Sequence, residues 1–545
     1  MDQAKQRGGT PSGRSTGPRP RVADVRGDAG TRWRAGFFLI LAAAIGIQLI
    51  DINRPFTDRH DWATAHQSQL ARNHLRYGLA VTKTRCLYTR FVENRPDARR
   101  IYPDHPPLLP LVLALGMAVL GESEVAVRSI AGAFTVASIG LTMALARGLL
   151  GRSVSLLAGL ALLPMPILVY FGHIPSHETV ALPFALLALR GYFGWLLPEQ
   201  FQRQPGRDAA LFVVGTVLMI LTSWAGMLFA GVIWLHLAFR VLTGQRKRSA
   251  GAWCLVTLPA GVATLVTVTH VLWSLEWNLE HLYGLFAYRT GLNQSQISFT
   301  AGSWLLCQAK WLWRDYTGTG VALAGLGLLL ATHGRLRRSG EPSGKPLRYA
   351  VPLVIPGLLW VLVFRNGSFV HEYWWLHATP FVAMLIGLAL SFLSRVMRRL
   401  GRGVPALTVA VLLIAMAGEA AAHYRYFRRW PAADVFPYEP CRYVRAHTPP
   451  AAWVLGNRAL WSKRDYYEGP QQTLLPSVAW YLDRFYVQAL TPEEIAALAD
   501  HAPYYLFTPS ERDGALGGYL RRSFKLEAEW PDAYVFDLSA PRAYN

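Results

Sequence analysis

Charge is scarce in this chain of 545 residues: Asp, Glu, Lys and Arg make up 16%, against about 25% in a soluble protein. The shortage is uneven, with long stretches that carry no charge and short ones that collect Arg. That distribution excludes a single water-soluble domain and fits helices in lipid joined by wet loops. Cysteine is scarce too. The four present are Cys86, Cys254, Cys307 and Cys441. No two have the spacing of metal ligands, and a disulfide such as Cys86–Cys307 stays open. Over residues 423–545 no Gly-rich loop opens a helix, which excludes the usual phosphate cradle there.

What is present is apolar. Hydrophobic residues make up 52% of the chain, in runs at 34–50, 107–120, 128–149, 153–171, 179–197, 209–223, 225–243, 251–273, 318–333, 349–364, 374–394 and 404–421. The formal net charge is +21. The basic residues lie between these runs and build no compact domain. They read as Lys and Arg of cytoplasmic loops, not as a nucleic-acid surface. Residues 1–33, rich in Gly, Pro, Ser and Arg, read as a disordered basic cytoplasmic tail. The run that follows lacks a small-residue cleavage site and reads as an uncleaved anchor.

Loop charge decides which runs span. With the tail inside, a spanning 107–120 would place Arg246-Lys247-Arg248, Arg335-Leu336-Arg337-Arg338 and the cluster from Arg395 to Arg402 outside; a non-spanning one places all three inside. That run opens on Pro106-Pro107 and is shorter than the ~20 residues a crossing helix needs. The expected fold is a polytopic α-helical membrane protein of about eleven transmembrane helices plus juxtamembrane helices. It occupies 34–422, with a small α/β soluble domain at 423–545 on the outer face. In that domain 453–456, 504–508 and 533–538 read as strands, and Thr491-Pro492-Glu493-Glu494 opens a helix with Thr as its cap. Trp374 and Trp375 are expected in an interfacial aromatic belt.

Acids beside a membrane bundle are costly, which makes them candidates for function. Asp58-Arg59-His60-Asp61 follows the first span and precedes a helix over 63–77 that ends at Gly78. Asp61 either caps that helix or acts chemically. Asp104-His105 precedes the short run, where His105 would bind phosphate or orient an acceptor. His173, His177 and Glu178 share an outer turn and suit either a metal or a helix cap. In His371-Glu372-Tyr373-Trp374-Trp375-Leu376-His377 the second His falls too late for a zinc-protease motif. The first outer loop is basic, with Lys83, Arg85, Arg90, Arg95, Arg99 and Arg100. This is a solvated or head-group face, or a site for an anion, since Arg matches phosphate with paired hydrogen bonds. Arg59, Lys310, Arg314 and Arg365 add to it.

Taken in order, His60-Asp61-Trp62, Ala71-Arg72-Asn73-His74-Leu75-Arg76-Tyr77-Gly78, Tyr102-Pro103-Asp104-His105-Pro106-Pro107-Leu108-Leu109-Pro110, Leu120-Gly121, Arg128 and Glu178 resemble the GT-C fold glycosyltransferases, particularly the protein O-mannosyltransferases and the lipid A aminoarabinose transferases. The resemblance covers 55–197, and the later spans agree in layout. It implies a polyprenyl-phosphate sugar donor, a lipid, glycan or protein acceptor, and inverting transfer at the outer face of a plasma (bacterial inner) membrane. It implies Asp61 as the essential first-loop acid, with Asp58 as the alternative because the family more often carries Asp-Glu there, and Glu178 as a second acid. Such a transfer needs a base for the acceptor proton and positive charge for the departing phosphate. Arg59, His60, Lys83, Arg100, Asp104, His105, His173, His177, Arg365 and His371 are the substrate-binding candidates. The resemblance fixes no cofactor, and a divalent metal at Glu178 stays open. Two rival readings remain: a lipid or solute transporter, although no internal repeat is visible, and an inactive scaffold of an envelope complex.

Overall fold

The structure is a computed structural model that describes residues 22–86, 105–201, 204–244, 249–292, 298–332, 346–429, 438–457, 476–508, 514–531 and 533–541. Helices α1 (Val22–Gln48), α2 (Asp61–Thr82), α3 (Leu108–Leu120), α4 (Glu124–Leu150) and α5 (Arg152–Leu162) are followed by α6 (His177–Leu196), α7 (Pro205–Thr222), α8 (Ala225–Leu242) and α9 (Ala250–Ser274). Next come α10 (Leu279–Thr290), α11 (Ala301–Tyr316), α12 (Gly318–Thr332), α13 (Pro346–Val363), α14 (Thr379–Met397) and α15 (Val404–Arg429). Among the described residues seven helices are long and apolar enough to cross a membrane alone, and α5 with Pro166–His173 forms a pair bent by 63°, the shape of a broken span or a re-entrant loop. Helices α12 and α13 complete apolar runs whose described parts are shorter.

The unstructured tail expected at 1–33 lies outside the described residues up to position 21, and from Val22 the chain is already helical. None of the four cysteines forms a disulfide, so the Cys86–Cys307 bridge left open by the sequence is not made.

Helix α3 does not cross the bundle. At its start the His105 ring stacks on His177 with centroids 4.1 Å apart. Just past its end, Glu122 sits 2.9 Å from Arg72 of α2, and α2 in turn meets His177 through Gln67 at 3.4 Å. Both ends of α3 therefore lie at one end of the bundle, as loop charge required. The same end holds the C-terminus of α1, where His173 bonds the Gln48 carbonyl at 2.7 Å. Contacts at the opposite end are separate: Arg147 covers Trp33, and Arg190 pairs with Asp208.

The spans approach closely through small residues, as helices in lipid do. Helices α6 and α7 pack backbone to backbone, with Gly191 against Asp208 and Phe212, and Gly215 against Phe184 and Ala188. A side chain at Gly215 would strike the Ala188 backbone, so Gly215→Val is expected to destabilise the protein by about 1–3 kcal/mol, measured as a lower Tm in detergent.

The C-terminal domain is smaller than expected at its start, because α15 continues to Arg429. It comprises α16 (Tyr438–His447), α17 (Pro476–Leu482), α18 (Pro492–Leu498), α19 (Gly514–Ser523) and strands β1 (Trp453–Gly456), β2 (Phe485–Gln488), β3 (Tyr504–Phe507), β4 (Phe524–Trp530) and β5 (Ala533–Pro541). The sheet order is β2-β1-β3-β5-β4. Strand β1 runs parallel to β2 and β3, while β5 is antiparallel to β3 and β4. Thr491 caps α18 in a reciprocal box with Glu494.

Candidate active site

The segment between α1 and α2 is held against the bundle by ion pairs. Asp61 opens α2 and is completely buried. It does not cap the helix; its N-cap is His60, whose side chain caps nothing. The Asp61 oxygens instead accept from Arg128 of α4 at 3.1 and 3.2 Å, from the Asp58 amide at 3.2 Å and from the Thr64 hydroxyl at 3.4 Å. Arg128 is equally buried, so each charge exists there because of the other. His60 holds a left-handed φ of 59°, a conformation that persists in a non-glycine residue only where surroundings impose it.

Asp58 is the more accessible first-loop acid, with 13% side-chain exposure. It pairs with Arg54 at 3.2 Å and with Arg428 of α15 at 2.9 Å. Burial, and then the neighbouring Asp61, raise its pKa above the ordinary carboxylate value despite those arginines. Folding thus disfavours the ionised form at neutral pH. Asp58→Asn is expected to raise Tm at pH 7. The gain should disappear as pH falls below the ordinary carboxylate pKa, where Asp58 is protonated in both folded and unfolded chains. Thermal melts at pH 7 and near pH 3.5 measure it.

On the other side of the loop Arg59 grips Glu372 with both nitrogens, at 2.7 and 3.0 Å. Glu372 is fully buried and also lies 3.6 Å from His60. The His371 ring stands 5.9 Å from that of His60 and 6.2 Å from Trp62. Trp374 and Trp375 do not form a lipid belt; they are 2% and 8% exposed, and Trp374 packs on Trp360.

A second group lies beside this one. His105 and His177 stack, Arg289 of α10 donates to His105 Nε2 at 3.3 Å, and His177 Nδ1 bonds the Thr222 carbonyl at 2.6 Å. Burial first, then His177 and Arg289, hold His105 neutral well below the usual histidine range. Burial, with His177, takes His66 to about 3. Neutral imidazoles around one guanidinium leave Arg289 as the charge of this group. Glu178 is buried in the first turn of α6 with Ser176 and Arg289 as its neighbours. Ser176, not Glu178, caps that helix by accepting from the Thr179 amide.

The remaining sequence candidates separate from these groups. His173 is spent on the Gln48 carbonyl. The side chains of Lys83 and Arg365 are exposed. Arg314 reaches the Tyr426 hydroxyl at 3.3 Å, and Lys310 lies over Trp311 at 5.7 Å. Arg100 and Asp104 lie outside the described residues. Among the described residues no three His, Cys, Asp or Glu side chains converge as a metal-ligand set.

Arg289 and Asp315 escaped sequence reasoning. Asp315 is fully buried, and desolvation first, then the Glu372 carboxylate, raise its pKa well above the ordinary value despite Arg314 and Arg59. Neither of its oxygens has a hydrogen-bond partner among the described residues. The only available signal was a carboxylate on the buried Trp304–Gln308–Trp311 stripe of α11.

Residues 104–235 match the protein family described as dolichyl-phosphate-mannose-protein mannosyltransferase. A search of curated proteins finds no match. The fold is similar to that of ArnT from Cupriavidus metallidurans bound to undecaprenyl phosphate, with 15% identity, a TM-score of 0.61, and coverage of 92% of this chain and 97% of that one. It is also similar to the apo oligosaccharyltransferase of Archaeoglobus fulgidus, at 12% identity and TM-score 0.54 over 87% of this chain and 69% of that one. The oligosaccharyltransferase AglB from Archaeoglobus fulgidus, in complex with an inhibitory peptide and a dolichol-phosphate, aligns at 11% identity and TM-score 0.52, over 87% of this chain and 69% of that one. The chain therefore has a GT-C type fold with a small C-terminal sheet domain, and the resemblance drawn from its motifs holds.

Proposed function

We propose that this protein is a membrane glycosyltransferase that moves a sugar from a polyprenyl-phosphate donor to an acceptor at the outer face of the plasma membrane. The observation that carries the reading is the convergence of the first-loop acids, Glu178 and Arg289 at one end of the bundle. Lipid-phosphate ligands in ArnT and AglB support the donor class, and Arg147, Arg190 and Arg207 at the opposite end support an outward site.

In the proposed reaction an acceptor hydroxyl or amine attacks the anomeric carbon from the face opposite the phosphate. The new bond forms as the sugar–phosphate bond breaks, inverting the centre. The acceptor proton passes to a first-loop carboxylate, and the polyprenyl phosphate leaves beside cationic groups, of which Arg289 is the best placed. Motif position assigns the base to Asp61, while accessibility favours Asp58. Protein in lipid nanodiscs, supplied with a panel of polyprenyl-phosphate sugars and membrane acceptors, should release free polyprenyl phosphate. Asp58→Asn should leave release within about threefold of wild type if Asp61 is the base, and lower it about 10²-fold or more if Asp58 is. Movement of the lipid across vesicles without release would replace this reading with transport.

A further inference from the structure

We propose that the C-terminal domain positions the transfer site, with Tyr481 as the positioning residue. The inference rests on the function proposed above and deepens it, by giving the domain a role in that site.

Every residue of α17 is buried, and the helix lies against α2. Docking is carried by two arginines one helical turn apart. Arg72 donates to the Trp480 carbonyl at 2.8 Å, and its guanidinium sits 3.4 Å from the centre of the Trp480 ring. Arg76 grips Asp483 with both nitrogens, at 2.5 and 2.7 Å. These contacts would suffice to seat a domain. Tyr481 reaches beyond them. Its hydroxyl accepts the Phe56 amide proton at 2.7 Å and lies beside the Glu124 carboxylate.

Those two partners belong to the two elements that make the buried pair. Phe56 lies in the loop that carries Asp58 and Asp61, and Glu124 opens α4, which carries Arg128. The Phe56 ring lies beneath the Arg128 guanidinium at 5.1 Å and against Trp480 at 5.6 Å. One hydroxyl of the C-terminal domain thus ties the backbone of the acid-bearing loop to the start of the helix that supplies its counter-ion. A misplacement of about 1 Å in such a constellation costs about 10²-fold in rate.

The test is Tyr481→Phe in the full chain, which keeps the ring and removes the hydroxyl. Hydrogen exchange of the peptide covering 51–61 should quicken about tenfold or more, as the Phe56 amide loses its partner. Release of polyprenyl phosphate should fall about 10- to 100-fold in kcat, with the donor KM within about twofold of wild type. Asp483→Asn, which loosens docking without touching Phe56, should lower Tm and leave kcat within about threefold. Unchanged exchange or unchanged kcat in Tyr481→Phe overturns the proposal, as does an equal fall in kcat for Asp483→Asn. If wild-type protein releases no polyprenyl phosphate, the proposed function fails, and exchange over 51–61 alone then decides whether Tyr481 orders the loop.

Discussion

Asp61→Asn is expected to abolish sugar transfer, lowering it by about 10²–10⁴-fold, and also to lower Tm. The second effect complicates the first, because Arg128 is then left buried without a counter-charge. Removing one member of a buried pair costs about 3–5 kcal/mol, whereas replacing both is often neutral. The informative comparison is therefore among Asp61→Asn, Arg128→Gln and the double variant. Both single variants should melt early. The double variant should recover most of the lost stability and none of the transfer, since no carboxylate returns. A double variant that regained transfer with stability would make Asp61 a structural residue and leave the base to Asp58.

Glu372→Gln should have the next largest effect. The carboxylate receives both Arg59 nitrogens in a fully buried setting, and an amide cannot accept two charged donors in that geometry. The expected loss is about 3–5 kcal/mol, read as a lower Tm in detergent. Arg59 flanks the acid-bearing loop, so transfer should fall together with stability. Arg59→Lys in the wild-type background keeps the charge but not the planar fork and should lose part of both. Wild-type stability and transfer with Lys would mean that charge alone, and not the paired geometry, holds the loop.

Much of this architecture is written locally and can be read locally. Apolar runs mark the spans because lipid demands them, and loop arginines placed α3 on one side because only one parity keeps them together. The Thr491 cap is an interaction of residues three apart and was equally legible. Strands β2 and β4 were not: Phe485–Gln488 is half-buried throughout and shows no alternation. Trp374 and Trp375 look interfacial in sequence, and only the packing of Trp360 on Trp374 and the bond from the Trp375 indole to Gln308 show a core. The partners of the acids were the least legible. Arg128 in an apolar helix signals a buried counter-ion, but nothing local says that the counter-ion is Asp61. Arg289 and Asp315 sit on short helices whose burial depends on neighbours far along the chain.

Those long connections bear on how the protein is made. Asp61 meets Arg128 across 67 positions, Arg59 meets Glu372 across 313, and Phe56 meets Tyr481 across 425. Synthesis proceeds from the N-terminus, so the loop that bears the acids emerges early and waits for its last support until nearly the whole chain has been translated. The order of assembly is thus built into the contact map. A chain halted at any earlier span carries the acids without the Phe56–Tyr481 contact, and their loop gains that support only once the last domain has been made.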